Sequence, residues 1–235
     1  METRTRVKVL RAARFLLIAA AVFACGSPPP RFATGSDATI SAEGLRRVED
    51  SGFQRAEARP GVSFARYGAV WLRYPADIAY RNPPMPRQPE LGGDNYPLSK
   101  RMAASWMASL RETFRREITD GHRDSVDSAG PGVLEIRIFL IDLVLHAPLV
   151  TLGGDDLQWV NSLGEVTIVI ELVDSESGEL LARLADRDRL APESVRPPRA
   201  NERDAIFEVN RLIRQWSAQL RLLLDLSGSH DPFAS

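Results

Sequence analysis

Asp142 and His146, four residues apart, are the pair in this chain best placed to share acid–base work. They fall on one face of a predicted strand, where a rise of about 3.3 Å per residue sets them roughly 13 Å apart. That is too far for a direct hydrogen bond, so solvated polar residues at a strand end are the plainer account. Gly153-Gly154-Asp155-Asp156 offers two carboxylates to a cation but lacks the repeated ligand spacing of a calcium loop, and it reads as a turn. The three histidines, His122, His146 and His230, are scattered. A single cysteine leaves no intramolecular disulfide and no cysteine-based zinc cluster. No GxSxG elbow, phosphate-cradling loop or HExxH occurs. The expectation is therefore no catalytic residue, no metal and no cofactor.

Contact residues are a different matter. Trp159 lies outside any periodic face, and Tyr80 and Tyr96 sit in a proline-rich stretch. Aromatic side chains in loops are candidates for partner contact. The competing reading folds them back onto the core, and for Trp159 that reading is the favoured one. Trp106 and Trp216 instead fall on helical apolar stripes and are expected in the core.

The elements that carry these residues follow from period. The 235 residues are 44% hydrophobic and 26% charged, a globular composition large enough for one domain with flanking segments. Arg66 to Tyr74 reads as a first strand stopped by Pro75. Ser99 caps a helix whose Met102, Trp106, Leu110, Phe114 and Ile118 recur every four residues, with Gly121 as the stop. Residues 133–147 form a strand alternating at Leu134, Ile136, Ile138 and Leu140, then apolar on both faces, as a doubly covered strand end would be. Residues 165–174 alternate again and return through a tight connection into a strand over 179–187. Asn201 and Asp204 resemble a capping box before a last helix ending near Gly228.

The order β-α-β-β-β-α predicts an α+β domain: a four-stranded mixed sheet with both helices on one face. A right-handed crossover makes the first two strands parallel. The loops at 75–97, 148–164 and 189–200 then gather at one end of the sheet, and the hairpin at 174–179 lies at the other. Three long loops at one end are the expected working surface.

Before this domain lies a targeting signal. Arg4, Arg6, Lys8, Arg11 and Arg14 precede ten apolar residues, Phe15 to Ala24, and then Cys25. That span is too short to cross roughly 30 Å of hydrocarbon as a helix and fits the apolar part of a secretory signal. Val22-Phe23-Ala24-Cys25 resembles the lipobox of bacterial lipoproteins. The resemblance implies cleavage before Cys25, diacylglycerol on its sulfur and a fatty acid on its new amino group. With no aspartate among Gly26 and Ser27, it favours the outer over the inner membrane. The expected divisions are 1–24 signal peptide, 25–64 lipidated N-terminus and tether, 65–227 domain and 228–235 tail. From Cys25 onward the chain carries 25 basic and 30 acidic side chains, net −5, a poor footprint for nucleic acid.

Gly52-Phe53, Arg59 to Tyr67 (RPGVSFARY) and Val70-Trp71-Leu72 resemble the opening of the bacterial lipoprotein family catalogued as domain of unknown function 3313. Leu140-Ile141-Asp142 and Asp174 to Ala182 are similar to its later parts. That family has no assigned activity, so the resemblance implies an envelope lipoprotein and no catalytic residue. The expectation is a non-enzymatic domain, membrane-bound through lipidated Cys25, that docks on an envelope protein through its long loops. A small-molecule or lipid-binding module with a pocket between helices and sheet is the alternative, and a hydrolase using Asp142 and His146 the third.

Overall fold

The computed structural model describes residues 28–75, 77–81, 96–120, 123–149, 159–191 and 199–229. Cys25 and the signal, His122, Gly121, residues 153–156 and His230 lie outside them.

Eight strands form one mixed sheet. They are β1 (Arg31–Phe32), β2 (Arg46–Glu49), β3 (Arg55–Ala58), β4 (Ala69–Arg73), β5 (Asp124–Ser125), β6 (Val133–Leu145), β7 (Gly164–Asp174) and β8 (Leu180–Arg189). Their order across the sheet is β1-β2-β3-β8-β7-β6-β4-β5. Helix α1 (Lys100–Thr119) joins β4 to β5, and α2 (Glu202–Ser229) closes the chain. The predicted topology of the centre holds: β4 and β6 are parallel, and β7 and β8 follow antiparallel.

The strand count of four is corrected to eight. Residues 28–64, expected as a tether, supply β1, β2 and β3, which pair antiparallel in turn and dock on β8. They are short and rich in charge, so period alone did not mark them; Phe32, Val48 and Phe53 are nevertheless buried in the common core. The described chain reaches the sheet at Arg31, opposite Glu49, at mid-height on its far edge.

One sheet face is apolar because alternate residues point to it. Leu134, Ile136, Ile138 and Leu140 of β6 and Val166, Ile168, Ile170 and Leu172 of β7 are buried there. Trp106, Leu110 and Phe114 of α1 and Val209, Ile213, Trp216 and Leu220 of α2 join the same cluster. The helices run parallel, side by side: Arg101 pairs with Glu202, and Ser109 Oγ donates to Asn210 Oδ1 at 2.5 Å. Both begin at the loop end. Ser99 Oγ accepts from the Met102 N–H at 3.2 Å, and Asn201 Oδ1 from the Asp204 N–H at 2.9 Å. These are the expected caps, although the Asp204 carboxylate turns back to the Arg199 N–H at 2.9 Å.

The two-faced apolar end of β6 has a cause other than double cover. Its register against β7 slips between Ile141 and Val144, and Asp142 sits there at φ +53°. One extra residue reverses the alternation, so Leu143, Leu145 and Ala147 turn into the core. Above the end of β4, the edge of β6 is taken over by residues 79–81: the Ala79 N–H donates to Leu140 O and the Leu143 N–H to Ala79 O, both at 3.0 Å.

The opposite face is a ladder of ion pairs. Glu135, only 3% exposed, accepts Arg73 Nη1 at 2.9 Å and Arg137 Nε and Nη2 at 2.9 and 2.8 Å. Hydrogen bonds from Arg137, and then from Arg73, outweigh burial and hold its carboxyl below the usual range. Arg183 grips Glu171, Arg187 pairs with Glu165, and Arg55 with Glu57.

Candidate interaction surface at the loop end

The ends of β4, β6 and β8, the start of β7 and both helix N-termini meet at one end of the sheet. There the three aromatic candidates part company. Tyr80 is half-buried against the core; its phenol oxygen accepts the Leu98 N–H at 2.7 Å, and burial pushes its pKa up. Tyr96 is likewise packed on the core, and its N–H donates to Leu145 O at 3.1 Å. These two seal the sheet's upper edge.

Trp159 does not fold back as favoured from sequence. It is 50% exposed and bridges antiparallel to Arg199, whose guanidinium carbon lies 4.7 Å from the indole centroid. Arg199 is in turn fixed on the cap of α2 through Asp204. The strand-to-strand and strand-to-helix connections are thereby joined, with an aromatic–cation pair on display. Arg199 was missed in the sequence because it follows two prolines in a linker; the nearby capping box was the available signal.

A bulge separates Asp142 from His146. The bulge places Asp142 at the slip itself, and His146, exposed, is tied to the turn by its N–H on Leu163 O at 3.0 Å. A different acid pair forms on the buried face. Asp186 and Asp188 both accept the Trp216 Nε1–H, at 3.1 and 3.3 Å, and Asp186 also accepts the Gln54 N–H at 3.3 Å. Asp186 is 4% exposed; desolvation first, and the neighbouring Asp188 charge second, push its carboxyl up. The sequence shows both residues but not that β8 turns them inward.

The hairpin end is locked instead of displayed. Tyr67 OH donates to Asp174 Oδ2 at 2.8 Å and accepts from Arg66 Nη2, while Asp174 Oδ1 takes the Glu176 and Ser177 N–H groups. Burial pushes Tyr67 up to about 12. Beside the short β5 edge, Leu72, Tyr74, Ala108, Arg111, Ser125 and Asp127 border an open groove of about 460 Å³. Tyr74 OH donates to Arg111 O at 3.1 Å across it. Among the described residues no group of three or more His, Cys, Asp or Glu side chains could hold a metal ion.

No family model matches the chain, so the resemblance to domain of unknown function 3313 is not assigned, and no curated protein matches it either. Solved structures share a distant likeness. PelC of Paraburkholderia phytofirmans, crystallised as a dodecamer in two crystal forms, is 14% identical, covers 69% of this chain and 96% of its own, and has a TM-score of 0.28. A Xanthomonas campestris protein of domain-of-unknown-function family 330 is 12% identical, covers 73% of this chain and 89% of its own, at 0.37.

Proposed function

We propose that this chain is an envelope lipoprotein, anchored through Cys25, whose folded body is a non-enzymatic docking module with its contact surface at the loop end. The single observation that supports the docking surface is Trp159, a half-exposed indole held by Arg199 where two loops are joined. A large apolar ring with a fixed cationic neighbour is the residue pairing that anchors protein contacts. The anchor rests on the basic stretch, the short apolar segment and Cys25. No described helix is long and apolar enough to cross a membrane. Gly26 and Ser27 favour the outer membrane.

The test is a crosslinked pull-down from envelope extracts with wild type and Trp159→Ala. Partners recovered by the wild type and lost several-fold with Trp159→Ala support the reading; identical recovery from both removes it. A second reading, a small-molecule module, is favoured by the groove between Tyr74 and Arg111, whose volume suits a small ligand. It predicts that Arg111→Ala abolishes a thermal shift given by an envelope metabolite fraction while Trp159→Ala leaves it intact.

A further inference from the structure

Three of the five large apolar side chains exposed among the described residues lie on one helix: Phe207 is 62% exposed, Leu222 56% and Leu226 43%. All are on the outward side of α2, at helical spacing with the exposed Arg203 and Arg214. Arg221 leans from α2 towards α1, 3.9 Å from Glu117. Gln219 leans the other way, under the turn between β2 and β3, where its Cγ lies 3.7 Å from the Cβ position of Gly52. Leu222 stands between them, facing out.

That turn belongs to the strands on which the N-terminal segment enters the fold. Cys25 is six residues from Arg31, where the chain joins the sheet, so a lipid on Cys25 is held within about 20 Å of it at roughly 3.3–3.6 Å per residue. A body leashed that closely has to rest one of its sides on the bilayer. The ion-pair face is the poor choice: it carries Glu57, Glu135, Glu165 and Glu171, already paired, and would have to be desolvated. The α2 side offers apolar side chains and arginines, and its exposed carboxylate, Asp225, is paired with Arg123 at 3.3 Å. Beside it α1 has five basic residues against two acidic ones, although the chain from Cys25 is net negative.

We infer that the outward face of α2, with Phe207, Leu222 and Leu226 beside Arg203 and Arg214, lies on the headgroup layer of an anionic bilayer. It rests on the anchoring reading above and adds to it an orientation. Apolar side chains enter the boundary between headgroups and acyl chains, and arginines meet lipid phosphates. The loop end and the ion-pair face are then left open to a partner.

The test uses the full chain isolated from membranes and reconstituted into vesicles of phosphatidylethanolamine and phosphatidylglycerol containing nitroxide-labelled lipid. A fluorophore is placed at Leu222→Cys or, on the opposite sheet face, at Val169→Cys. The expected result is quenching several-fold stronger at position 222 than at 169, lost when Arg203→Glu and Arg214→Glu are added. Equal quenching at both positions, or none at 222, overturns the inference. So does shielding of position 222 that depends on protein concentration without vesicles, the sign of a second copy on this face. The mass of the Cys25 peptide, measured on the same sample, reports the anchor separately: a bare thiol sinks the anchoring reading, while the quenching still reports which face meets lipid.

Discussion

Gly164 shows how much a single atom matters in the sheet. A Cβ on it would lie 2.2 Å from Val144 O and 3.1 Å from Leu145 Cδ2, backbone contact that no rotamer relieves. Gly164→Ala is expected to destabilise the fold by roughly 1–3 kcal/mol, an overpacking cost read as a lower denaturation midpoint. Two aspartates make opposite predictions with pH. Hydrogen bonds from Ser177 and Tyr67 hold Asp174 well below the ordinary carboxyl range. Its contribution is complete above the unfolded value near pH 4 and is lost as pH falls towards the folded value. Asp186 is raised, chiefly by desolvation, so its carboxyl favours the fold in its neutral form. That contribution is present below about pH 4 and disappears as pH climbs through the raised folded value. Asp174→Asn should therefore flatten the acid limb of a stability–pH curve, and Asp186→Asn should gain stability at neutral pH and little at pH 4. Equal effects of Asp186→Asn at both pH values would show that Asp186 does not titrate as argued.

At the scale of elements, α2 depends on its first turn. Asn201 Oδ1 satisfies the Asp204 N–H, and Asp204 returns to the Arg199 N–H under Trp159. Asn201→Ala should cost about 1 kcal/mol, and the same change should loosen the Trp159–Arg199 pair, read as increased quenching of Trp159 fluorescence by acrylamide. The elements that were legible in the sequence are those with long, clean periods: α1, α2, β6 up to Leu140, β7 and β8. Period fails where the structure breaks it. The bulge at Asp142 reverses the alternation, which makes a one-faced strand look two-faced. Strands of two to four residues such as β1, β2 and β3 are shorter than a period can register. Part of their bonding is also invisible to any pattern. Gln54 Nε2 donates to Arg187 O at 2.7 Å and its Oε1 accepts the Arg187 N–H, extending the β8 edge with a side chain in place of a strand. Of the candidate site residues, loop position was enough to mark Trp159 as different from Trp106 and Trp216, but Tyr80 and Tyr96 were indistinguishable from it until their neighbours on β6 were known.

For the whole molecule, the point at issue is where the leash stops and the body starts. Composition places that boundary at residue 65, whereas the sheet places it no later than Arg31. The two boundaries differ by a measurable amount of core. Phe32, Leu45, Val48 and Phe53 are all buried upstream of residue 65, and Ala56 and Ala58 lie against Leu184 and Ala182 of β8. At about 1.5–3 kcal/mol for each large side chain, the four together are worth on the order of 8 kcal/mol. That is comparable to the entire stability of an ordinary domain, about 5–15 kcal/mol. Deleting the segment would also bare the β8 edge, an open strand inviting aggregation. A chain begun at residue 65 should therefore fail to unfold cooperatively and should aggregate, whereas one begun at Pro28 should melt as the mature protein does. Cooperative melting of the shorter chain at an unchanged midpoint would mean that β1 to β3 are an appendage. The anchor would then regain a reach of some forty residues, and the argument that α2 must meet the bilayer would lose its premise.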